Sequence, residues 1–256
     1  MTVQWVTAFL DTPRGADVDA FWLEVTGTKL SSRRGANRQF ATLLPPYGDA
    51  FLRVQVTESD TPGVHFDLHV PNPSETARHA LSLNADIIRD HGTFVGLTSP
   101  GGMPFCLVPH RAEQLRPQPV AWSRGRQSLV DQVCIDIPAN DFEREARFWA
   151  AMTGWSRRHG ALPEFDYLVR PADMPIGLLL QRVGDAGAVR AHLDMACDDV
   201  PAETARHEAL GATFVRRTSW WITLRDRPRR PRLLHNLTRS LVGASHAAKP
   251  EPVADG

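Results

Sequence analysis

Two short segments that carry histidine and aspartate give the strongest indication of chemistry in this chain. Each has the pattern of a β-strand, in which successive side chains point to opposite faces. In the second half of the chain, His192 and Asp194 share one face, and Leu193 and Met195 share the other. An imidazole and a carboxylate on one face could transfer protons, bind a polar ligand or hold a metal ion. These strands are therefore the first candidates for a functional site.

The first half of the chain contains the same pattern. His65, Asp67 and His69 alternate with apolar residues along a strand-like run. Gln132 and Asp136 align in the same way on the strand predicted to open the second half. We expect the apolar faces to carry helices, which leaves the polar faces toward a cavity. The alternative for each histidine, a hydrogen-bonded structural role, stays open.

The matching segments belong to a tandem duplication. Three pairs recur in the same order, the first two 127 residues apart and the third 128 residues apart. Such regular recurrence indicates a repeated structural unit. The pairs are Phe21-Trp22 with Phe148-Trp149, His65–Leu68 with His192–Met195, and Glu75–His79 with Glu203–His207.

Each half is predicted to contain two strand–helix–strands units. Several strands follow every helix, which favours an α+β fold with a largely antiparallel sheet over a doubly wound parallel sheet. Ser74 is a candidate helix N-cap, and Gly27 and Gly211 are placed to end helices. The histidines of the two Glu-Thr-Ala-Arg-His segments are expected at the surface. Apolar spacing predicts helices at Asp17–Val25, Pro73–Leu83, Asp141–Met152 and Ala202–Leu210.

The same patterns suggest two domains. We predict domain 1 at residues 1–110, a linker at 111–127 with Pro117 and Pro119, and domain 2 at 128–238. Residues 239–256 are rich in Ala, Pro and polar residues, and we expect them to be disordered.

Composition excludes several classes of function. Lys plus Arg equals Asp plus Glu at 29 each, so no net charge attracts nucleic acid or an anionic membrane. Three cysteines without CxxC spacing give no disulfide framework and no zinc knuckle, and we expect those in apolar runs to be core residues. Neither a signal peptide nor an apolar run of membrane-spanning length is visible. We therefore expect a soluble, cytoplasmic protein.

Several motifs together resemble a known superfamily. Phe21-Trp22 is followed by Gly27, strands of the His-Leu-Asp type come next, and Ala205–Thr213 reads Ala-Arg-x-x-Ala-Leu-Gly-Ala-Thr. The segment Ser99–Leu107 resembles the family's glycine-rich turn and terminal strand. The chain thus resembles the glyoxalase-like branch of the vicinal oxygen chelate superfamily, which includes glyoxalase I, bleomycin-resistance proteins and extradiol dioxygenases. The resemblance implies tandem domains built from four βαβββ modules, with curled mixed or antiparallel sheets and helices on their outer face.

The resemblance also implies where a metal would bind. Metal-using members take His, Gln and Glu ligands from four strand positions, and the glutamate position here is a proline in both halves. Neither half therefore provides the anionic ligand that a divalent ion favours. We expect no cofactor, with a divalent metal held by His192, Gln132 and Gln181 as the alternative. The matching positions are Thr7, Gln55, His65 and Pro104 in the first half, and Gln132, Gln181, His192 and Pro231 in the second.

The leading hypothesis is a metal-independent protein that binds a small molecule and sequesters or modifies an organic metabolite or antibiotic. The alternative is a metal-dependent lyase, isomerase or dioxygenase with an atypical ligand set. A third reading is a scaffold that binds a protein partner. We expect a small-molecule ligand, no nucleic acid, no membrane, and a monomer or homodimer. The predicted ligand-binding residues are His192, Asp194, Gln132, Gln181, Trp221, His65 and Asp67.

Overall fold

The chain folds into four strand–helix–strands modules, which confirms the predicted α+β class and the fourfold βαβββ repeat. The computed structural model describes residues 3–13, 19–184, 187–226 and 233–239. The disordered tail was predicted at residues 239–256, of which Arg239 is the last residue of a strand and the rest lie outside the described residues. Pro231 also lies outside them.

The first half contains two modules. Their elements are β1 (Trp5–Pro13), α1 (Asp19–Thr26), β2 (Lys29–Leu30), β3 (Phe40–Leu44), β4 (Leu52–Thr57), β5 (Gly63–Val70), α2 (Pro73–Ser82), β6 (Asp86–Asp90), β7 (Val95–Thr98) and β8 (Pro104–Pro109).

The second half repeats this plan after a short strand and a single 3-10 turn. The elements are β9 (Val120–Ala121), the turn Ser123–Gly125, β10 (Gln127–Pro138), α3 (Phe142–Thr153), β11 (Ser156–His159), β12 (Phe165–Val169), β13 (Gly177–Val183), β14 (Arg190–Cys197), α4 (Val200–Ala209), β15 (Thr213–Arg217), β16 (Trp221–Arg225) and β17 (Leu234–Arg239).

The strands form two mixed sheets with the same topology. The first has the order β2-β3-β4-β1-β5-β8-β7-β6, and the second has the order β11-β12-β13-β10-β14-β17-β16-β15, with β9 paired to β10. The central pairs β5–β8 and β14–β17 are parallel, whereas the hairpins around them are antiparallel. Among the described strands each sheet is an open path with two edge strands, and the curling that the resemblance implied is not found.

The described chain also groups into two compact units, and each unit takes segments from both halves. Unit 1 contains the described residues within 1–9, 64–115 and 133–191. Unit 2 contains those within 10–63, 116–132 and 192–256. The predicted domain boundaries at 110 and 128 follow the sequence repeat and stay a prediction.

The core of unit 1 forms where helix α3 meets strands from the other half of the chain. The ring of Trp149 is fully buried and lies 5.0 Å from the ring of Phe66 on β5 and 5.1 Å from that of Phe105 on β8. Phe148 adds an edge contact to Phe105 at 5.8 Å. Aromatic pairs at these separations stabilise a core beyond their buried area. The repeated Phe-Trp pair therefore belongs to the core, as its helical spacing predicted.

A buried carboxyl group fixes the same helix to the turn before β8. Glu145 Oε1 accepts the backbone N–H of Gly101 at 2.6 Å, and Oε2 accepts the indole N–H of Trp149 at 3.0 Å. Burial raises the pKa of Glu145 because it disfavours the ionised form, and these bonds offset only part of that effect.

Unit 2 contains an equivalent contact, but here the carboxylate does not come from the helix that carries the tryptophan. The indole N–H of Trp22 on α1 donates to Asp226 Oδ2 at 3.3 Å. Asp226 Oδ1 also accepts the backbone N–H of Leu233 at 2.8 Å. Trp149 and Trp22 thus each have a carboxyl partner, which comes from the same helix in unit 1 and from Asp226, just after β16, in unit 2.

The helix ends agree with the sequence at the glycines and differ at the N-cap of α2. Gly27 and Gly211 have positive φ angles, of 62° and 102°, just beyond their helices, as predicted. Ser74 is not the N-cap. Pro73 occupies the first turn, where its missing N–H costs nothing, and the cap is Asn72, whose Oδ1 accepts the N–H of Glu75 at 3.1 Å.

The predicted linker contains ordered structure. Val120–Ala121 pairs with the start of β10, and the indole N–H of Trp122 donates to Ser128 Oγ at 2.7 Å. The guanidinium of Arg206 lies 3.7 Å above the Trp122 ring, in a cation–π contact. The proline-rich composition predicted an irregular segment. It gave no indication of this strand pairing or of the contacts of Trp122.

Two expectations about cysteines and membranes can be compared directly with the structure. Cys106, Cys134 and Cys197 are all free, as expected from their spacing. None of the helices in the described part of the chain is long and apolar enough to cross a membrane.

The Glu145 carboxyl group gives a pH-dependent prediction. Because its folded pKa is raised, the stability that it contributes is present below the unfolded pKa and is lost as pH rises through the folded value. We expect Glu145→Gln to remove this component, which denaturant unfolding between pH 4 and pH 8 would measure.

Glu143, two residues earlier, is the matched control. Hydrogen bonds from Arg157 lower the pKa of Glu143 to about 2 against the opposing effect of burial. Its stabilising effect should be present above the unfolded pKa and be lost as pH falls, so Glu143→Gln should change the profile in the opposite direction. Identical profiles for the two variants would contradict the assignment.

Candidate functional site

Strand β5 carries the polar row that the sequence predicted. His65, Asp67 and His69 are all buried, with exposed fractions of 8%, 4% and 3%. The alternate residue Phe66 packs on Trp149 from the other face. The strand is therefore apolar on the face covered by helix α3 and polar on the opposite face.

Three potential metal ligands lie close together on this polar face. Asp67 on β5 is the direct register partner of Cys106 on β8. One donor atom each from His65, Asp67 and Cys106 can be chosen so that all three lie within 4.8 Å of one another. Phe9 stacks on the His65 ring with a centroid distance of 4.5 Å and an interplanar angle of 16°. We call His65, Asp67 and Cys106 the β5–β8 cluster.

The sequence did not indicate Cys106 as a site residue. Its strand was recognisable in Ser99–Leu107, but the sheet was expected to be mixed or largely antiparallel, and no parallel pairing of this strand was predicted. Parallel pairing of β5 with β8 brings its thiol beside Asp67. Polar and apolar residues alternate along β8 as they do along β5. This alternation is the signal that could have identified Cys106, once the two strands are paired in parallel.

The positions that carry metal ligands in relatives fit a metal poorly in this half. The register that pairs Phe66 with Phe105 places Pro104 beside His65, and proline offers no side-chain ligand. Thr7 Oγ1 is hydrogen-bonded to His69 Nε2 at 2.9 Å. Gln55 lies in unit 2 on β4, paired with Phe40. The carboxyl group of Asp67 and the thiol of Cys106 lie one register pair further along.

In unit 2, His192 and Asp194 share a hydrogen-bond network on β14. Asn236 on β17, the register partner of Asp194, donates through Nδ2 to His192 Nε2 at 2.8 Å and to Asp194 Oδ1 at 3.1 Å. The amide oxygen of Asn236 accepts the hydroxyl of Thr223 at 2.7 Å. Because His192 Nε2 accepts an N–H, its lone pair is already used.

The glutamate position of the second half differs from the sequence alignment. Parallel register pairs Leu193 with His235, which places Leu234 beside His192 in the position of Pro104. Leu234 lies three residues beyond Pro231, because the second-half loop is longer. Like Pro104, Leu234 offers no side-chain ligand. This position therefore lacks a carboxylate, as the sequence analysis expected.

The other predicted ligand residues, Gln181 and Gln132, belong to different compact units and are described separately. Gln181 is buried on β13 in unit 1, where the thiol of Cys134 lies 3.7 Å from its Oε1. Gln132 is half-buried on β10 and belongs to unit 2 with His192. The alternative metal set of His192, Gln132 and Gln181 therefore stays a prediction.

Trp221 is buried on β16, with the guanidinium of Arg216 5.8 Å from its ring centroid. Its predicted ligand contact stays a prediction. A small cavity in unit 2 has a volume of about 20 Å³, enough for one water molecule. It is lined by Phe51, Leu129 and Met195 among others, and none of the predicted site residues lines it.

The prediction that His207 lies at the surface is wrong. His207 and His235 are fully buried and joined through Nδ1 and Nε2 at 2.9 Å, beneath Phe21 of α1. Desolvation lowers the pKa of both histidines, so both are neutral at physiological pH. Burial disfavours the ionised Glu203 carboxyl, but bonds from Arg206 and His207 outweigh it and lower its pKa to about 2.

The same five letters have a different environment in the first half, where Glu75 and His79 are exposed. Arg206 explains the difference, because its guanidinium donates to the backbone carbonyls of Glu24 and Val25 at the end of α1. Local sequence therefore did not decide which copy is buried.

The Asn236 network predicts a measurable loss of stability. We expect Asn236→Leu to destabilise the fold by about 1–3 kcal/mol, because it leaves buried groups of His192 and Asp194 without their amide donor. Thr223→Val removes the 2.7 Å bond to Asn236 and a long 3.4 Å contact from Arg216 Nε, and it should cost only about 1 kcal/mol because the amide donor to His192 and Asp194 is kept. Urea unfolding monitored by tryptophan fluorescence would compare them. An Asn236→Leu variant no less stable than Thr223→Val would contradict this interpretation.

Comparison with known proteins agrees with the fold and with the position of the modules. The model of the glyoxalase-like domain matches residues 7–108 and 132–228. No curated protein matches the chain.

Several solved structures share the architecture at low identity. A variant of 4-hydroxymandelate synthase from Streptomyces coelicolor has a TM-score of 0.61 at 14% identity, covering 97% of this chain and 96% of its own. The 2,2′,3-trihydroxybiphenyl 1,2-dioxygenase of Sphingomonas wittichii has a TM-score of 0.58 at 14% identity, covering 100% and 99%. A catechol 2,3-dioxygenase has a TM-score of 0.52 at 14% identity, covering 100% and 97%.

These structural likenesses show a common fold, and their low identity carries no activity across. The family match spans more than half of the chain and coincides with the two repeats. The protein therefore belongs to the glyoxalase-like domain family.

Proposed function

We propose that this protein is a metal-dependent enzyme that acts on a small organic molecule, with the ion held by His65, Asp67 and Cys106. The observation that carries the proposal is the proximity of the three donor atoms, within 4.8 Å of one another on two paired strands. Lyase, isomerase and dioxygenase chemistry all remain open for this site. The proposal favours the metal-dependent alternative over the metal-independent hypothesis.

The donor set suits a divalent transition ion. Imidazole nitrogen, carboxylate oxygen and thiolate sulfur are all zinc ligands, and imidazole also suits iron and nickel. Asp67 and Cys106 would supply the anionic ligands that Pro104 does not. When bound, such an ion would act as a Lewis acid that polarises a substrate oxygen.

The protein groups around the cluster have separable roles in this proposal. Phe9 stacks on His65 and holds the imidazole plane while covering one of its faces from water. Phe66 faces away toward Trp149, which anchors the strand behind the ligands. The site is therefore supported on regular strands rather than on loops, which favours a fixed ligand geometry.

Names of the structural neighbours support a small oxygen-bearing substrate. They include a catechol 2,3-dioxygenase and a 2,2′,3-trihydroxybiphenyl 1,2-dioxygenase, whose names describe hydroxylated aromatic substrates. We therefore choose catechol as the first probe of activity.

A metal-free binding role is the second candidate, and it concerns the other half of the chain. The lone pair of His192 Nε2 is used by Asn236, and the same amide donates to Asp194. This favours a hydrogen-bonding rather than a metal-binding role for these two residues.

Elemental analysis of the full-length protein tests the proposal. After incubation with Zn²⁺, Fe²⁺ or Mn²⁺ and removal of excess ion, we expect Cys106→Ala and Asp67→Asn each to hold one metal equivalent less than the unaltered protein. Loss of one anionic ligand should weaken such a site strongly, since thiolate and carboxylate supply its negative charge.

Cys197→Ala is the matched control. Burial raises the pKa of the Cys197 thiol, which keeps it protonated, and we expect this variant to retain full metal content. Equal metal content in the Cys106 and Cys197 variants, or no metal uptake by the unaltered protein, would refute the proposed site.

A further inference from the structure

A second group of potential ligands lies in unit 1 at the far end of the same strand pair. His69 is the penultimate residue of β5, and His110 directly follows β8. The backbone N–H of His110 donates to the carbonyl of Val70 at 3.1 Å, which extends the parallel ladder to this point. Glu113 follows three residues later, so its carboxylate returns to the same end of the sheet.

The donor atoms converge on a single carboxylate oxygen. Nδ1 of His69 lies 3.9 Å from Glu113 Oε2, and Nδ1 of His110 lies 3.8 Å from the same atom. Both distances exceed a hydrogen bond. Ligand atoms about 2.1 Å from one ion stand roughly 3–4 Å apart. The three groups all lie within 4.8 Å of one another, so a small contraction would bring them onto one ion.

The orientation of His69 is that of a metal ligand. Its Nε2 contacts the hydroxyl of buried Thr7 at 2.9 Å. With the proton on Nε2 donated to that hydroxyl, the lone pair of Nδ1 faces Glu113. Metal-binding histidines commonly donate their other ring N–H in this way, which fixes both the tautomer and the plane of the ring.

Charge and burial also fit. The side chains of His69, His110 and Glu113 are 3%, 14% and 22% exposed. The Ala112 N–H donates to Glu113 Oε2 at 3.2 Å, which fixes the carboxylate beside the two histidines.

We propose that His69, His110 and Glu113 bind a divalent first-row transition ion, with Zn²⁺ as the expected occupant and water completing its coordination. Two histidines and one carboxylate form an established set of ligands for such ions. This site is separate from the β5–β8 cluster, since it uses none of the residues His65, Asp67 and Cys106. Its role is to hold the segment after β8 against the end of the sheet.

Calorimetric titration of metal-stripped, full-length protein with Zn²⁺ tests the site. The titration is made in the Cys106→Ala background, so that the first cluster does not contribute. We expect one binding event, which His110→Ala and Glu113→Gln each weaken at least tenfold. His79→Ala, which alters an exposed histidine on α2, is the matched control and should leave the affinity unchanged.

Thr7→Val tests the positioning role of the hydroxyl. It keeps the side-chain shape and should weaken Zn²⁺ binding by about 10–100-fold, as loss of such partners usually does. Circular dichroism of each variant without metal identifies any that fails to fold, and Glu113→Gln, at the most exposed ligand, then decides the result.

The outcomes separate this site from the proposed enzyme site. Zn²⁺ binding in the Cys106→Ala background that depends on His110 and Glu113 supports the inference, whatever the fate of the first cluster. Absence of binding in that background, or binding unchanged by both His110→Ala and Glu113→Gln, overturns it. The metal content of the Cys106 and Cys197 variants tests the enzyme site independently.

Discussion

The alternation of side chains along β5 and β14 is the constraint on which the structure depends. A strand must present successive residues to opposite faces, so a row of polar residues on one face requires an apolar row on the other. On β5, Phe66 packs on Trp149 from α3, and His65 and Asp67 are thereby fixed on the opposite face. The buried tryptophan that stabilises the fold thus also determines which side chains can form a site.

Duplication has allowed the two copies of this strand to diverge. In unit 1, His65 has Asp67 and Cys106 as neighbours, a set of ligands suited to a metal ion. In unit 2, Asn236 occupies the matching strand position and bonds both His192 and Asp194. The Asn236 amide therefore satisfies a polar atom of each residue by hydrogen bonding. One copy can therefore keep reactive groups while the other contributes to stability.

The sequence predicted the module order, the helix ends at Gly27 and Gly211, and the shared face of His65 and Asp67, because these follow from local periodicity and glycine geometry. It did not predict Cys106 as a neighbour of Asp67, since that contact requires parallel pairing of strands about 40 residues apart in the chain. It also placed His207 at the surface. The histidine of an identical pentapeptide is exposed in α2 and buried in α4, where the neighbouring Arg206 bonds the end of α1.

The absorption spectrum of the Co²⁺-loaded protein tests the central claim most directly, because a thiolate bound to Co²⁺ gives an intense near-ultraviolet charge-transfer band. Coordination by Cys106 predicts this band in the unaltered protein and in Cys197→Ser, together with its loss in Cys106→Ser. Since the His69–His110–Glu113 site contains no sulfur, it cannot produce the band. A band that persists in Cys106→Ser, or is absent from the unaltered protein, would contradict a metal centre built on the β5–β8 cluster.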